Sequence, residues 1–310
     1  MKRAALLIIN AAICGALSGC FTGIESTPRI TPSDVSHAGV RTTSEQAFAA
    51  TLIPEAPRAW MPGKQWQVAD TRIAMIFTAS SGSCDSLAGR TITYASERRV
   101  PSVTGVDAIE LAFTGPDGQS LYYRPDLPAD DWDNRASLAI PFAIELSPVA
   151  KADSLMRGNT YYITTPLWRD GTGSPATGLR HIAVRVDSVT PGTERYPLKV
   201  AFTPVSEPDA KSKFILMTYG TSASATRNFD RLFSFTDPRR SYPRITDATW
   251  QKIIRSQVES GMTRDECRLA LGAPDHIDRG ATPGAQLERW TYDNGVYLIF
   301  EDGILERWRK

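Results

Sequence analysis

Between residues 60 and about 220, apolar and polar side chains alternate in short runs separated by Gly, Pro, Asp and Ser. Successive side chains of an extended strand point to opposite faces, so this period predicts half-buried β-strands joined by turns. The pattern changes near residue 246. "TDATWQKIIRSQVESGMT" sets Trp250, Ile253, Ile254 and Val258 at helical spacing, with Thr246 or Asp247 able to cap the start and Gly261 expected to end the helix. In "GMTRDECRLALGAPDH" (261–276), Thr263 and Glu266 have the spacing of a capping box. Met262 can staple onto the apolar face of Cys267, Leu269, Ala270 and Leu271, and Gly272-Ala273-Pro274 stops this second helix. Three strand-like runs follow, 287–293, 295–301 and 303–308, separated by the tight-turn dipeptides Asn294-Gly295 and Asp302-Gly303. The expectation is two helices packed on a three-stranded meander, with Trp290, Tyr292, Tyr297 and Phe300 supplying rings to cover Trp250 and Ile254.

The β region carries a weak internal repeat. Gly63, Trp66 and Val68 match Gly158, Tyr161 and Ile163, 95 residues later. Ile92-Thr93-Tyr94 matches Val184-Arg185-Val186 at an offset of 92, and "LAFT" (111–114) matches "VAFT" (200–203) at 89. Preserved order with a drifting offset is what two copies with unequal loops would show. The predicted fold class is therefore mainly β with a C-terminal α+β domain. Two small β-barrel or sandwich repeats, expected to be barrels of the Src-homology-3 kind, occupy 44–150 and 151–230. A polar segment, 231–246, with Arg239, Arg240 and Arg244, reads as a solvated linker to the last domain at 246–310. "SEQAFAATL" (44–52) predicts a short helix capped by Ser44 and stopped by Pro54.

The amino terminus adds the strongest single signal. Lys2 and Arg3 precede "AALLIINAAICGALSG", an apolar run too short and too rich in small residues for a spanning helix, which ends at Leu17-Ser18-Gly19-Cys20. That box resembles the signal of bacterial lipoproteins. The resemblance implies a signal peptide over 1–19 and a mature chain beginning at an acylated Cys20, palmitate being one of its chains. Phe21-Thr22-Gly23 follows instead of an Asp, which favours the outer membrane, and only Glu25 is nearby, which favours its periplasmic face. Residues 20–43, polar and without apolar period, read as a tether.

Charge and candidate chemistry narrow the function. The 310-residue chain has 35 basic and 34 acidic residues, too even a balance for a nucleic-acid binder. His37, His181 and His276 lie far apart, with no metal-ligand spacing among them, and His181 in a strand-like run reads as a surface residue. "GTSAS" (220–224) lacks the last Gly of a nucleophile elbow, and "GTGSPATG" (171–178) has no phosphate-loop spacing and reads as a turn. Asp130, Asp131, Asp133 and Asn134 suggest a calcium loop but lack its Gly and distal Glu, so they read as an acidic loop. Cys84 and Cys267 would share an oxidising compartment, yet Cys267 falls on an apolar helix face where a buried thiol also fits, so pairing stays open. No catalytic residue, metal site or cofactor is predicted.

The order Gly261-Met262-Thr263, acidic helix, Leu271-Gly272-Ala273-Pro274, Glu288-Arg289-Trp290-Thr291-Tyr292 and Phe300-Glu301-Asp302-Gly303 resembles the SmpA/OmlA family. That family includes the small lipoprotein of the β-barrel assembly machinery. The resemblance spans about 65 residues and implies a domain that works by protein contact. The expectation is a non-catalytic, lipid-anchored envelope protein with a protein partner, a binding or scaffold module in outer-membrane assembly or integrity. The alternative is a cell-envelope hydrolase, or its accessory subunit, acting on cell-wall material. A cluster of acidic and His side chains in one pocket would favour the second.

Overall fold

Gly63 and Gly158, the first matched pair of the repeat, both adopt positive φ (98° and 79°). Each donates its N–H to the middle of a long neighbouring strand, Gly63 to the Tyr94 carbonyl (2.9 Å) and Gly158 to the Val186 carbonyl (2.8 Å). A side chain on either residue would oppose that conformation, which accounts for Gly at both positions. The computed structural model describes residues 43–309 except 102–104, 221–226 and 283. The expected signal, the expected tether up to residue 42, Cys20 and His37 therefore lie outside the described residues, while Thr43, the last residue of that tether, is described. Thr42–Lys310 forms one compact unit, and strand is the prevailing structure, with a few helices.

The first sheet contains β1 (Gln65–Val68), β2 (Phe77–Ala79), β3 (Thr91–Val100), β4 (Ala108–Thr114), β5 (Ser120–Tyr123) and β6 (Ala143–Glu145), in the order β2-β5-β4-β3-β1-β6. The second contains β7 (Thr160–Ile163), β8 (Leu167–Arg169), β9 (Pro175–Thr177), β10 (Ile182–Pro191), β11 (Leu198–Pro204), β12 (Lys213–Met217) and β13 (Phe233–Ser234), in the order β13-β7-β10-β11-β12-β8-β9. Matched by chain position, the two orders agree, with β9 as the one addition. The longest strand of each sheet bulges at the corresponding place, between Tyr94 and Ser96 in β3 and between Val186 and Ser188 in β10. A bulge bends its strand and lets the sheet coil over its own core. Both ladders are antiparallel, and among the described residues no pairing joins their end strands.

Each sheet covers a separate core. The first is aromatic, with Trp60 4.8 Å from Trp66 and Trp66 5.5 Å from Phe113. The second buries Val184, Val186, Val200, Phe202 and Ile215. It also receives helix α1 (Ser44–Thr51), whose Ala49 and Leu52 are buried there, although the sequence reading grouped 44–52 with the first repeat. Phe48 packs at 4.4 Å on Phe229, and Glu45 accepts hydrogen bonds from Ser234 Oγ and Phe235 N–H. The N-cap is Thr43, in a capping box with Gln46, so Ser44 becomes the first helical residue. Helix α2 (Leu146–Met156), which the sequence reading lacked, buries Val149, Ala152 and Met156 in the second core. Its Pro148 lies in the first turn, where a missing N–H breaks no helical bond.

The segment taken for a solvated linker is structural at both ends. Helix α3 (Phe229–Leu232) and β13 bury Phe229, Leu232 and Phe233, because β13 completes the edge of the second sheet beside β7. Arg239 lies over the Trp250 ring at 5.6 Å, while Tyr242 and Ile245 pack on the last core.

The last domain holds helices α4 (Asp247–Ile254) and α5 (Arg264–Leu271) on four strands in sequential order, β14 (His276–Thr282), β15 (Ala285–Thr291), β16 (Tyr297–Glu301) and β17 (Ile304–Arg309). Four strands replace the three expected, because "HIDRGAT" pairs along β15 from His276 to Thr282 without an apolar alternation to announce it. Helix α4 ends before Gly261. Ser256 N–H bonds the Ile253 carbonyl and Gln257 N–H bonds the Lys252 carbonyl, with Ser256 in the left-handed region (φ 56°). That is a Schellman cap made with Ser. The Thr263–Glu266 capping box is present in both directions. Trp290, Tyr292, Leu298 and Phe300 are buried with Trp250 and Ile254, while Tyr297 points to the other face and meets Arg289.

Candidate functional site

Two residues at the start of β10 join the second sheet to the last domain. Arg180 N–H bonds the Ile254 carbonyl (2.8 Å), and Arg180 Nη2 donates to the Leu271 carbonyl (3.1 Å). His181, held at φ 55°, places Nε2 3.0 Å from the Leu269 carbonyl and its ring 6.2 Å from Trp250. Burial pushes the Arg180 guanidinium and the His181 imidazole below their ordinary values. His181 is thus a junction residue, not the surface residue its alternating context suggested. Ile182 packs against both adjoining cores.

Two clefts flank this junction. One, about 840 Å³, lies among Leu167, Arg180, Val258, Asp275, Tyr292, Asp293 and Trp308. Leu167 is 68% exposed and Trp308 42% exposed, so apolar side chains stand at its mouth. Asp293 N–H bonds Asp275 Oδ2 at 2.7 Å. The two carboxyls share a hydrogen bond that raises Asp293 and lowers Asp275, so they titrate as a pair. The other cleft, about 910 Å³, is lined by Arg180, Arg227, Arg231 and Arg268, with Asp265 as its carboxylate.

A third cluster lies between the first two sheets. Lys64 Nζ contacts Glu145 (2.7 Å), Glu55 (2.9 Å) and Ser147 Oγ (3.0 Å), and Ser147 Oγ donates to Glu145 (2.7 Å). The side chains of Lys64 and Glu145 are both 6% exposed. Lys64 also stands 6.0 Å from the Trp60 and Trp66 rings. A serine beside a lysine invites comparison with a nucleophile and its base. Here Lys64 Nζ donates to Ser147 Oγ as well as to two carboxylates, so it meets the hydroxyl as a hydrogen-bond donor and not as a base. The arrangement is a clamp between β1, β6 and α2. Sequence reasoning missed it because Lys64 and Glu145 are 81 positions apart.

The remaining candidates are dispersed. His276 is exposed on β14, 2.8 Å from Asp278. Asp130 pairs with Arg99 at 2.8 Å in an exposed turn. The 171–178 stretch holds the β8–β9 turn, nucleated by Asp170 accepting from the N–H groups of Thr172 and Ser174, and then β9 itself. Of "GTSAS", only Gly220 is described. Cys84 is buried in the first core and Cys267 in the third, and no disulfide joins them. Burial, with Glu266 adding, pushes the Cys267 thiol up to about 12, which leaves little thiolate for nucleophilic chemistry. Among the described residues no three His, Cys, Asp or Glu side chains converge to hold a metal ion, and no helix is long and apolar enough to cross a membrane. Compared with protein-family models, curated proteins and solved structures, the chain matches none.

Proposed function

We propose that this chain is a lipid-anchored protein of the bacterial envelope that works by protein contact. In this reading Cys20 carries the lipid, 20–43 is the tether, and the two β units descend from a duplication that closes toward barrels. The last domain is of the SmpA/OmlA kind, and the protein serves outer-membrane assembly or integrity from the periplasmic face. The observation that carries the reading is the mouth of the 840 Å³ cleft, where Leu167 and Trp308 expose apolar surface beside a polar rim. Exposed apolar side chains ringed by polar ones are the usual form of a protein-docking surface. The test is a photo-crosslinking residue placed at Leu167 or Trp308 in intact cells. One recurrent envelope partner is expected, captured from these sites and not from Tyr162 on β7. Absence of adducts from both cleft positions would overturn the reading.

A second reading has one observation in its favour. The Asp275–Asp293 pair faces the same cleft, and two hydrogen-bonded carboxyls with divergent proton affinities can divide acid and base roles in a hydrolysis. Both carboxyls are exposed, and no histidine lines that cleft. Turnover of cell-wall fragments by the purified protein, lost in Asp293→Asn, would establish this hydrolase in place of the contact reading.

A further inference from the structure

The chain as a whole is nearly neutral, with 35 basic against 34 acidic residues. Four arginines lining one cleft with a single carboxylate is therefore a local concentration of charge. Several arginines elsewhere are paired, Arg98 and Arg124 with Glu110, Arg90 with Asp117, Arg157 with Asp153. Others, such as Arg185 and Arg289, stand on the surface without an ion pair among the described residues. Among the described residues, none of Arg180, Arg227, Arg231 or Arg268 forms an ion pair with a carboxylate.

Two of the four are held in place without being neutralised. Arg180 donates from Nη2 to the Leu271 carbonyl, while its Nε is buried with no hydrogen-bond partner. Arg227 donates from Nε to the Leu216 carbonyl (2.7 Å) and lies over the Tyr196 ring at 5.6 Å. Arg268 is set over the Trp290 ring at 5.0 Å. Arg231 is exposed at the end of α3. Arg180 and Arg227 are half-buried, while Arg231 and Arg268 are exposed at the rim. Partly burying cations side by side is costly unless an anion shares the site. A ring or a carbonyl fixes the planar guanidinium yet leaves further N–H donors, the arrangement that accepts phosphate oxygens.

We propose that the arginine-lined cleft between the second sheet and the last domain binds a phosphate-bearing ligand. At about 910 Å³ the cleft exceeds what a lone phosphate fills, so the phosphate belongs to a larger molecule or to one carrying several such groups. The ligand would bridge Arg227 and Arg231 of the second β unit to Arg268 on α5, bracing the junction that Arg180 and His181 form. This site does not depend on protein docking at the other cleft, and either can fail without the other.

The test is calorimetric titration of the detergent-solubilised full chain with two probes, pyrophosphate and dihexanoyl phosphatidylglycerol below its micelle concentration, with dihexanoyl phosphatidylcholine as control. Saturable binding of pyrophosphate is expected, weakened at least about tenfold by Arg231→Glu and further by Arg231→Glu/Arg268→Gln. Binding of phosphatidylglycerol but not pyrophosphate, with the same sensitivity, would name a lipid headgroup as the source. Among the described residues the exposed Arg231 side chain forms no hydrogen bond, ion pair or ring contact, so its variant decides the matter even if loss of Arg268 loosens the Trp290 packing. No binding of either probe, or equal binding by wild type and Arg231→Glu, would overturn the proposal.

Discussion

His181 Nε2 lies 3.0 Å from the Leu269 carbonyl, a hydrogen bond that links the start of β10 to α5 across 88 residues of chain. Burial is the main cause that holds the imidazole below its ordinary value of 6.5; Arg180 adds to it, while the Leu269 carbonyl and Asp237 oppose it. A group with a depressed folded-state value binds its proton more readily when unfolded. The contribution is therefore full above about pH 6.5 and is lost as pH falls below it. Melting temperatures followed from about pH 7.5 to 5 should drop more steeply for the wild type than for His181→Gln. Parallel profiles would show that His181 carries none of the dependence.

Removing Lys64 should be worse than removing the whole clamp. Lys64→Met leaves Glu145 buried without its cation, a change that typically costs about 3–5 kcal/mol. The double variant Lys64→Met/Glu145→Leu removes both charges and should recover most of that loss. Denaturant unfolding of the wild type, Lys64→Met, Glu145→Leu and the double variant gives the coupling directly. Additive effects would show that the two charges do not sense each other.

Trp290 is buried against Phe300, 4.6 Å away, beneath α4 and α5. Trp290→Ala should cost about 3–5 kcal/mol through the cavity it leaves. Near-ultraviolet dichroism and urea midpoints check this, and Tyr297→Ala on the opposite face should cost clearly less.

Ser256 holds a left-handed conformation at the end of α4, and its buried hydroxyl has no hydrogen-bond partner. Ser256→Gly relieves both, so the thermal midpoint should rise, by an amount equivalent to about 0.5–1 kcal/mol. A lower midpoint would mean the hydroxyl contributes to the wall of the adjacent cleft.

If Cys20 carries the lipid, Cys20→Ser should abolish metabolic labelling with a fatty acid and leave precursor or unanchored protein. Undiminished labelling would remove the lipoprotein reading, and with it the assignment to the outer membrane.

Short-range patterns were legible in the sequence because their causes are short-range. The Thr263–Glu266 capping box needs a spacing of three, and both hydrogen bonds form. The matching positions of Gly63 and Gly158 were legible because each needs positive φ beside a β-branched or aromatic strand. Helix α2 was hidden by its own Pro148, although Val149, Ala152 and Met156 kept helical spacing. Strand β14 was hidden because pairing with β15, and not an apolar period, makes it a strand.

What the sequence by itself determined was the run of local elements: alternating strands, capped helices, turn dipeptides, and the box around Cys20. Tertiary structure decided where the charges matter. Arg180 and Arg231 read identically along the chain, and so do Lys64 and any surface lysine. Lys64 is clamped because Glu145, 81 positions away, reaches it at 2.7 Å. The cleft arginines, with Asp265 as their one carboxylate neighbour in the lining, form no ion pair among the described residues. Electrostatic energy depends on distance through space and on the water excluded around a pair. Neither quantity is written in the order of residues until the sheets have packed.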